Sequence, residues 1–370
     1  MKKRWLLTGL MSTLSLVAAG SATADGETAD ETAAVDRAAV DRAAVDTAGP
    51  VGSDSAGTEA AAEESAANRP GGPRLVFRSL LEFAAGEIPE SIASDNQGNL
   101  YISVGSTIRR RTAAGVITDF AALPTSIFAL GVKVGRDGCV YTASTSLDPT
   151  VAGSFVWRAC EPGAAEQVVE LDPAGGPNDL AFDQDDNLYV TDPVLGRVWK
   201  VDPEGEASVW VEDPLLAGNP ADPALVFRPL GVNGIAFDAS ERFVYLANTD
   251  RGAILRVRTR GQGRAVAVFA QDTRLRGADG VAFDRSGTLL VNVNVTDSVV
   301  SVNPGGQVRV LASGGLLDAP SSAAFGAIEG DRRHVYVTAS AFSRTLGLQP
   351  GTPHPALLVA DVQVPGLPLP

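Results

Sequence analysis

Short runs of alternating apolar and polar residues recur along most of this chain, each followed by an Asx- or Gly-rich turn and a second short run. The stretch from Gly175 to Asp192, GGPNDLAFDQDDNLYVTD, shows the unit. Leu180-Ala181-Phe182 is one short strand, Asp183 to Asn187 is a turn, and Leu188 to Thr191 runs back. Period-two apolar residues around such a turn predict a β-hairpin.

The hairpin occurs six times. Its first strands are Glu90–Asp95 (ESIASD), Leu130–Gly135 (LGVKVG), Asn178–Asp183 (NDLAFD), Asn233–Asp238 (NGIAFD), Asp279–Asp284 (DGVAFD) and Ser321–Gly326 (SSAAFG). A recurrence every roughly 40 to 55 residues fits one four-stranded propeller blade per copy. The sequence therefore predicts an all-β, six-bladed propeller with four antiparallel strands per blade, spanning 73–370. Leu75 to Phe83 is the natural donor of a strand that closes the ring in blade six. No segment shows sustained helical periodicity.

The first 72 residues follow other rules. Met1-Lys2-Lys3-Arg4, an apolar run from Trp5 to Ala19 and Ala22-Thr23-Ala24 make a signal peptide over 1–24, too short for a membrane span. Residues 25–72 carry 11 acidic and 3 basic residues and almost no large apolar side chain, which predicts a disordered acidic linker. The whole chain has a formal net charge of −14, and the part from Pro73 onward stays acidic without the linker. No basic cluster with interleaved aromatics occurs, which argues against nucleic acid or an anionic membrane as a partner. The expected location is secreted or periplasmic, and the expected state is a monomer.

Cys139 begins one strand of blade two and Cys160 ends the next. In an antiparallel hairpin these positions face each other, and an exported chain meets oxidising conditions, so a disulfide is expected.

Candidate chemistry concentrates at the residue that leads each first strand. In a propeller these positions share one end of the central channel. They are Glu90, Leu130, Asn178, Asn233, Asp279 and Ser321, four of them carboxylates or carboxamides. Loops that follow second strands, 147–153, 249–251 and 342–355, should rim the same mouth. Any one Asn or Asp can simply end a turn. Two carboxylates and two carboxamides around one axis suit a hard cation: Ca2+ first, with Mg2+, Mn2+ or Zn2+ behind it. Beside such a cation Asp279 can accept a proton from water or attack directly, with Glu90 the second candidate for the base. There is no G-x-S-x-G elbow, phosphate-cradling glycine loop or H-E-x-x-H. His334 is expected on the opposite face and His354 in a solvated loop on the mouth side.

The segments PESIASDNQGNLYIS, GPNDLAFDQDDNLYVTD, GVNGIAFDASERFVYLAN and GADGVAFDRSGTLLVN resemble the gluconolactonase family. That family includes senescence marker protein (regucalcin), and diisopropyl fluorophosphatase and the paraoxonases are related propellers. The resemblance runs from about Glu87 to Phe325. It implies a divalent cation, usually calcium, held by Glu90, Asn178, Asn233 and Asp279, with Asp279 also the general base or nucleophile. It implies a small-molecule substrate, a lactone or ester. Gly176 stands where some sugar-lactonase members carry Arg, and Ser321 and Ser322 where some phosphotriesterase members carry His. The metal site thus carries over better than any substrate. Three function classes follow: a metal-dependent lactonase or esterase, a non-catalytic metal-containing binding module, and an interaction propeller without metal.

Overall fold

The computed structural model describes residues 74–146, 154–225, 229–261 and 263–369. The expected signal peptide and linker lie outside these residues, as does the loop 147–153.

Each hairpin copy becomes the inner half of a four-stranded antiparallel blade. Blade one is built from Pro89–Ser94, Leu100–Val104, Thr107–Arg111 and Ile117–Ala122. Blades two to five follow in order, with inner strands Ile127–Val134, Leu180–Phe182, Val232–Phe237 and Ala278–Phe283. Blade six takes Pro320–Phe325, His334–Ala339 and Ala356–Asp361 from the C-terminal end. Its fourth strand is Arg78–Glu82, paired antiparallel with Ala356–Asp361, so the ring closes with the predicted donor. One addition was not foreseen. Gly163-Ala164 of blade two lies parallel to the outer strand of blade one.

The turns repeat because one aspartate does the same work in each. Asp183 Oδ1 accepts the Asp185 and Asn187 N–H groups, and Asp183 Oδ2 accepts the Tyr189 hydroxyl at 3.0 Å. Asp95 with Tyr101 and Asp137 with Tyr141 repeat the arrangement. An Asx side chain that satisfies turn N–H groups fixes the hairpin locally. The phenylalanine before the aspartate packs across the blade boundary. Tyr141 meets Phe182, Tyr189 meets Phe237 and Tyr245 meets Phe283, edge to face at 5.0, 5.2 and 5.0 Å. Such pairs contribute about 0.5–1.5 kcal/mol each beyond the area they bury. The same tyrosine-to-phenylalanine contact thus joins three successive blade boundaries.

Cys139 and Cys160 are disulfide-bonded, as their facing strand ends predict. The bridge spans a sequence separation of 21 residues, and a loop of that size stabilises by about 3 kcal/mol in the chain-entropy account. Helix is confined, among the described residues, to single turns, the longest being Phe342–Thr345. No helix among them is long and apolar enough to cross a membrane.

Candidate metal centre

The leading residues stand where the inner strands leave regular pairing. In five of the six blades the inner ladder shifts register at the leader, between Pro89 and Ile92, Ala129 and Val132, Val232 and Ile235, Ala278 and Val281, and Pro320 and Ser322. In blade three the strand begins only at Leu180, after Asn178. A bulge bends the strand and re-aims the side chain at that position. Here it turns the leaders away from the ladder.

The glycines after three leaders have a steric cause. A Cβ on Gly131 would lie 2.4 Å from the Asn178 carbonyl oxygen, and one on Gly234 would lie 2.2 Å from that of Asp279. Gly280 meets the Ser321 carbonyl in the same way. Inner strands of neighbouring blades touch backbone to backbone just below the leaders, and only glycine permits it. Hydroxyls of the second strands complete the ring. Ser103 Oγ donates to the Leu130 carbonyl at 2.6 Å, Thr249 Oγ1 to that of Ala278 at 2.8 Å, and Thr338 Oγ1 to that of Glu90 at 3.2 Å.

Three of the four predicted ligands come together. Asp279 is buried, and Asn294 Nδ2 donates to its Oδ2 at 3.0 Å. Burial pushes the Asp279 carboxyl up to about 8, with Asp179 adding to the push, while hydrogen bonds from Asn294 and Asn233 pull against it. Glu90 is half-buried, and its carboxyl is raised well above the usual range, first by desolvation, then by Asp279 and Asp179, with Lys133 opposing. Asn233 is buried, and its Nδ2 donates to Thr249 Oγ1 at 3.1 Å. Asn178 occupies the equivalent place in blade three. Its N–H donates to the Thr191 carbonyl and its carbonyl accepts the Gly131 N–H, while its half-buried carboxamide takes no hydrogen bond among the described residues.

The donor set fits a hard divalent cation. Both carboxyls are held toward their protonated forms, first by desolvation and then by neighbouring carboxylates. Asn233 Oδ1 is buried and has no donor, and the same is true of Asn294 Oδ1 and Asn292 Oδ1 close by. A buried amide oxygen without a partner is costly, and a cation would satisfy it. Every available ligand atom is oxygen, with neither imidazole nor thiolate among them, so calcium or magnesium chemistry suits the site better than zinc.

The surroundings partly follow expectation. Thr249–Arg251 lies beside the connection into blade four, whose Gly231 and Leu230 carbonyls accept the Thr249 and Asp250 N–H groups. The buried Asp250 carboxylate accepts the N–H groups of Asn219, Ala224 and Leu230, which pins that long connection at the mouth. Arg344 in the blade-six loop pairs with both Asp297 and Asp318. His334 pairs with Asp361 at 3.2 Å on the second strand of blade six, away from the leaders. His354 is exposed and contributes only its backbone N–H, to Asp318.

Three neighbours of the leaders escaped the sequence reading: Asp179, Lys133 and Asn294. Asn294 follows a second strand and carries no pattern that marks it. Asp179 and Lys133 do carry a signal, because they depart from the small residues that the other copies repeat.

Below this level lies a cavity of about 510 Å³ walled by all six inner strands. The C-terminal tail forms part of its wall on the far side, with the Leu367 N–H on the Phe283 carbonyl and Leu367–Leu369 in the lining.

Residues 224–341 match the family described as SMP-30/Gluconolactonase/LRE-like region. The chain carries a gluconolactonase-like region. No curated protein matches the chain in sequence. Among solved structures, a calcium-binding protein, regucalcin, from Agrobacterium tumefaciens superposes with a TM-score of 0.58 at 16% identity, covering 80% of this chain and 96% of the other. A gluconolactonase from Xanthomonas campestris gives 0.56 at 18%, covering 80% and 99%. A luciferin-regenerating enzyme gives 0.59 at 14%, covering 80% and 99%. At such identities the likeness is one of fold. The gluconolactonase-like propeller is thus shared among proteins named for different activities, and the chemistry has to be argued from the site.

Proposed function

We propose that this chain is a calcium-dependent hydrolase of lactones or related esters, exported to the periplasm or the medium. The observation that carries this reading is the meeting of Glu90 and Asp279 in a desolvated space, beside an Asn233 oxygen with no donor. The gluconolactonases and regucalcin among the relatives support the same reading. Glu90, Asn178, Asn233 and Asp279 would hold the cation. When bound, a divalent cation polarises a carbonyl oxygen and stabilises negative charge that develops there.

The protein's own groups then divide the remaining work. Asp279, once ionised, accepts the proton of the attacking water or attacks the acyl carbon itself. Asn294, hydrogen-bonded to Asp279 Oδ2, fixes which carboxylate oxygen faces the reactant. Asn178 has no proton to exchange, so its free carboxamide serves only to hold the ion or orient substrate. Glu90 is the second candidate for the base. The basic start, the apolar run and the Ala-Thr-Ala site support the reading of export, and a disulfide is at home in that compartment.

The deciding experiment is a panel of sugar lactones, aliphatic lactones and aryl esters, assayed with and without chelator. Turnover that chelation removes and calcium restores supports the hydrolase. A protein that binds calcium yet turns over none of the panel would be a binding module instead.

A further inference from the structure

At two positions of the six inner strands the copies keep to small side chains, with one exception at each. The third residue after the leader is alanine in five blades, Ala93, Ala181, Ala236, Ala282 and Ala324, and Lys133 in blade two. The first residue after the leader is glycine or serine in five blades and Asp179 in blade three. The two exceptions sit in neighbouring blades, and they meet. Lys133 Nζ lies 3.4 Å from Asp179 Oδ1.

Asp179 is also held from two other directions. Its Oδ1 accepts the Leu180 N–H at 2.8 Å and its Oδ2 accepts the Ile235 N–H of blade four at 3.2 Å. Those contacts fix the carboxylate without help from the lysine. Lys133 therefore adds charge rather than placement, and its influence extends upward to Glu90. With Glu90, Asp179 and Asp279 ionised, one ammonium among three carboxylates leaves a formal charge of −2.

We propose that Lys133 is a fixed internal counter-charge, which matches the channel to a divalent ion and sets both the affinity and the valence preference of the site. The proposal rests on the reading that the leading ring binds a cation. A lysine that merely braced blades two and three would behave in the opposite way on removal. Losing a brace loosens the ligands and weakens metal binding. Losing a counter-charge leaves Asp179 uncompensated and strengthens it.

The test compares the parent with Lys133→Met, Lys133→Gln and the double variant Lys133→Met/Asp179→Asn. Calcium affinity is read by calorimetry and trivalent affinity by terbium luminescence. Lys133→Met should bind calcium about tenfold more tightly or better, since one unit charge at short range in a poorly solvated site is worth at least that. Terbium should gain more than calcium. The double variant restores the formal charge and should return to within about threefold of the parent, the non-additivity expected of two interacting groups. If Lys133→Met does not fold, Lys133→Gln, which can still donate to Asp179, must shift affinity in the same direction. Folded variants that bind calcium no more tightly than the parent overturn the proposal and leave the metal site standing. A parent that binds neither ion removes both.

Discussion

The two levels of the channel are built from the same six strands and behave oppositely. At the leaders the copies diverge: Glu90, Leu130, Asn178, Asn233, Asp279, Ser321. Three residues lower they nearly agree, on alanine. Repetition marks the positions where every blade meets the same packing requirement. Divergence marks the positions where one axis needs six different things at once. The difference teaches that in a repeat protein chemistry is found where the copies stop resembling one another, and Lys133 shows that the rule also works in the repetitive layer.

The comparison breaks most visibly at Asp279. Asp279→Asn keeps an oxygen donor but removes the base, so turnover at saturating calcium should fall by about a hundredfold or more. A steady-state assay at several calcium concentrations checks this. Near-parental turnover would make Asp279 a ligand only and move the base to Glu90.

Calcium itself should separate the levels next. Ion present at a hundredfold above its dissociation constant should stabilise the fold by about 2.7 kcal/mol, and chelator should remove that gain. The effect has a pH signature. Without the ion, the Asp279 carboxyl is raised from its ordinary 3.8 to about 8. Between these values the folded protein keeps a proton that the unfolded chain has released. Stability of the ion-free protein therefore falls as pH rises through this window and levels off above it. Calcium displaces that proton, so the calcium-induced rise in melting temperature should be larger at pH 8 than at pH 5. A rise independent of pH would place the ion away from Asp279.

Asn178→Ala should act more mildly, weakening calcium by about tenfold through the loss of one neutral oxygen donor. Excess calcium should then recover part of the activity, which distinguishes it from Asp279→Asn. The smallest change is expected in the lower layer. Ala282→Ser should alter stability by no more than about 0.5 kcal/mol and leave calcium affinity unchanged, as for a substitution away from any special contact. A tenfold change in affinity there would show that the two levels are coupled through more than Lys133.

Much of this was legible in the sequence. Six copies agreeing on apolar alternation and spacing, four of them with the turn aspartate, made blade number and strand order legible, and the borrowed strand followed from Leu75–Phe83. Glu90, Asn233 and Asp279 were legible because each leads its copy. What the sequence could not convey is how side chains meet across blades. Whether Asn178 has a partner, and that Asn294 reaches Asp279, depends on distances between strands that are far apart in the chain. Asp179 and Lys133 were visible as departures, but their meaning required knowing that blades two and three bring them within 3.4 Å. The cause of the glycines after Asn233 and Asp279 is likewise visible only in the structure, where each faces a neighbouring backbone.

The C-terminal tail gives the molecule a usable back door for handling. It crosses beneath the channel, fixed by the Arg285 and Leu367 N–H groups on and from the tail and by Gly366, whose α-carbon leaves no room for a side chain against Phe325. Leu367–Leu369 lie in the cavity wall, on the side away from the leaders. A surface tether or fluorescent label attached to this tail would leave the leader end of the channel facing solution.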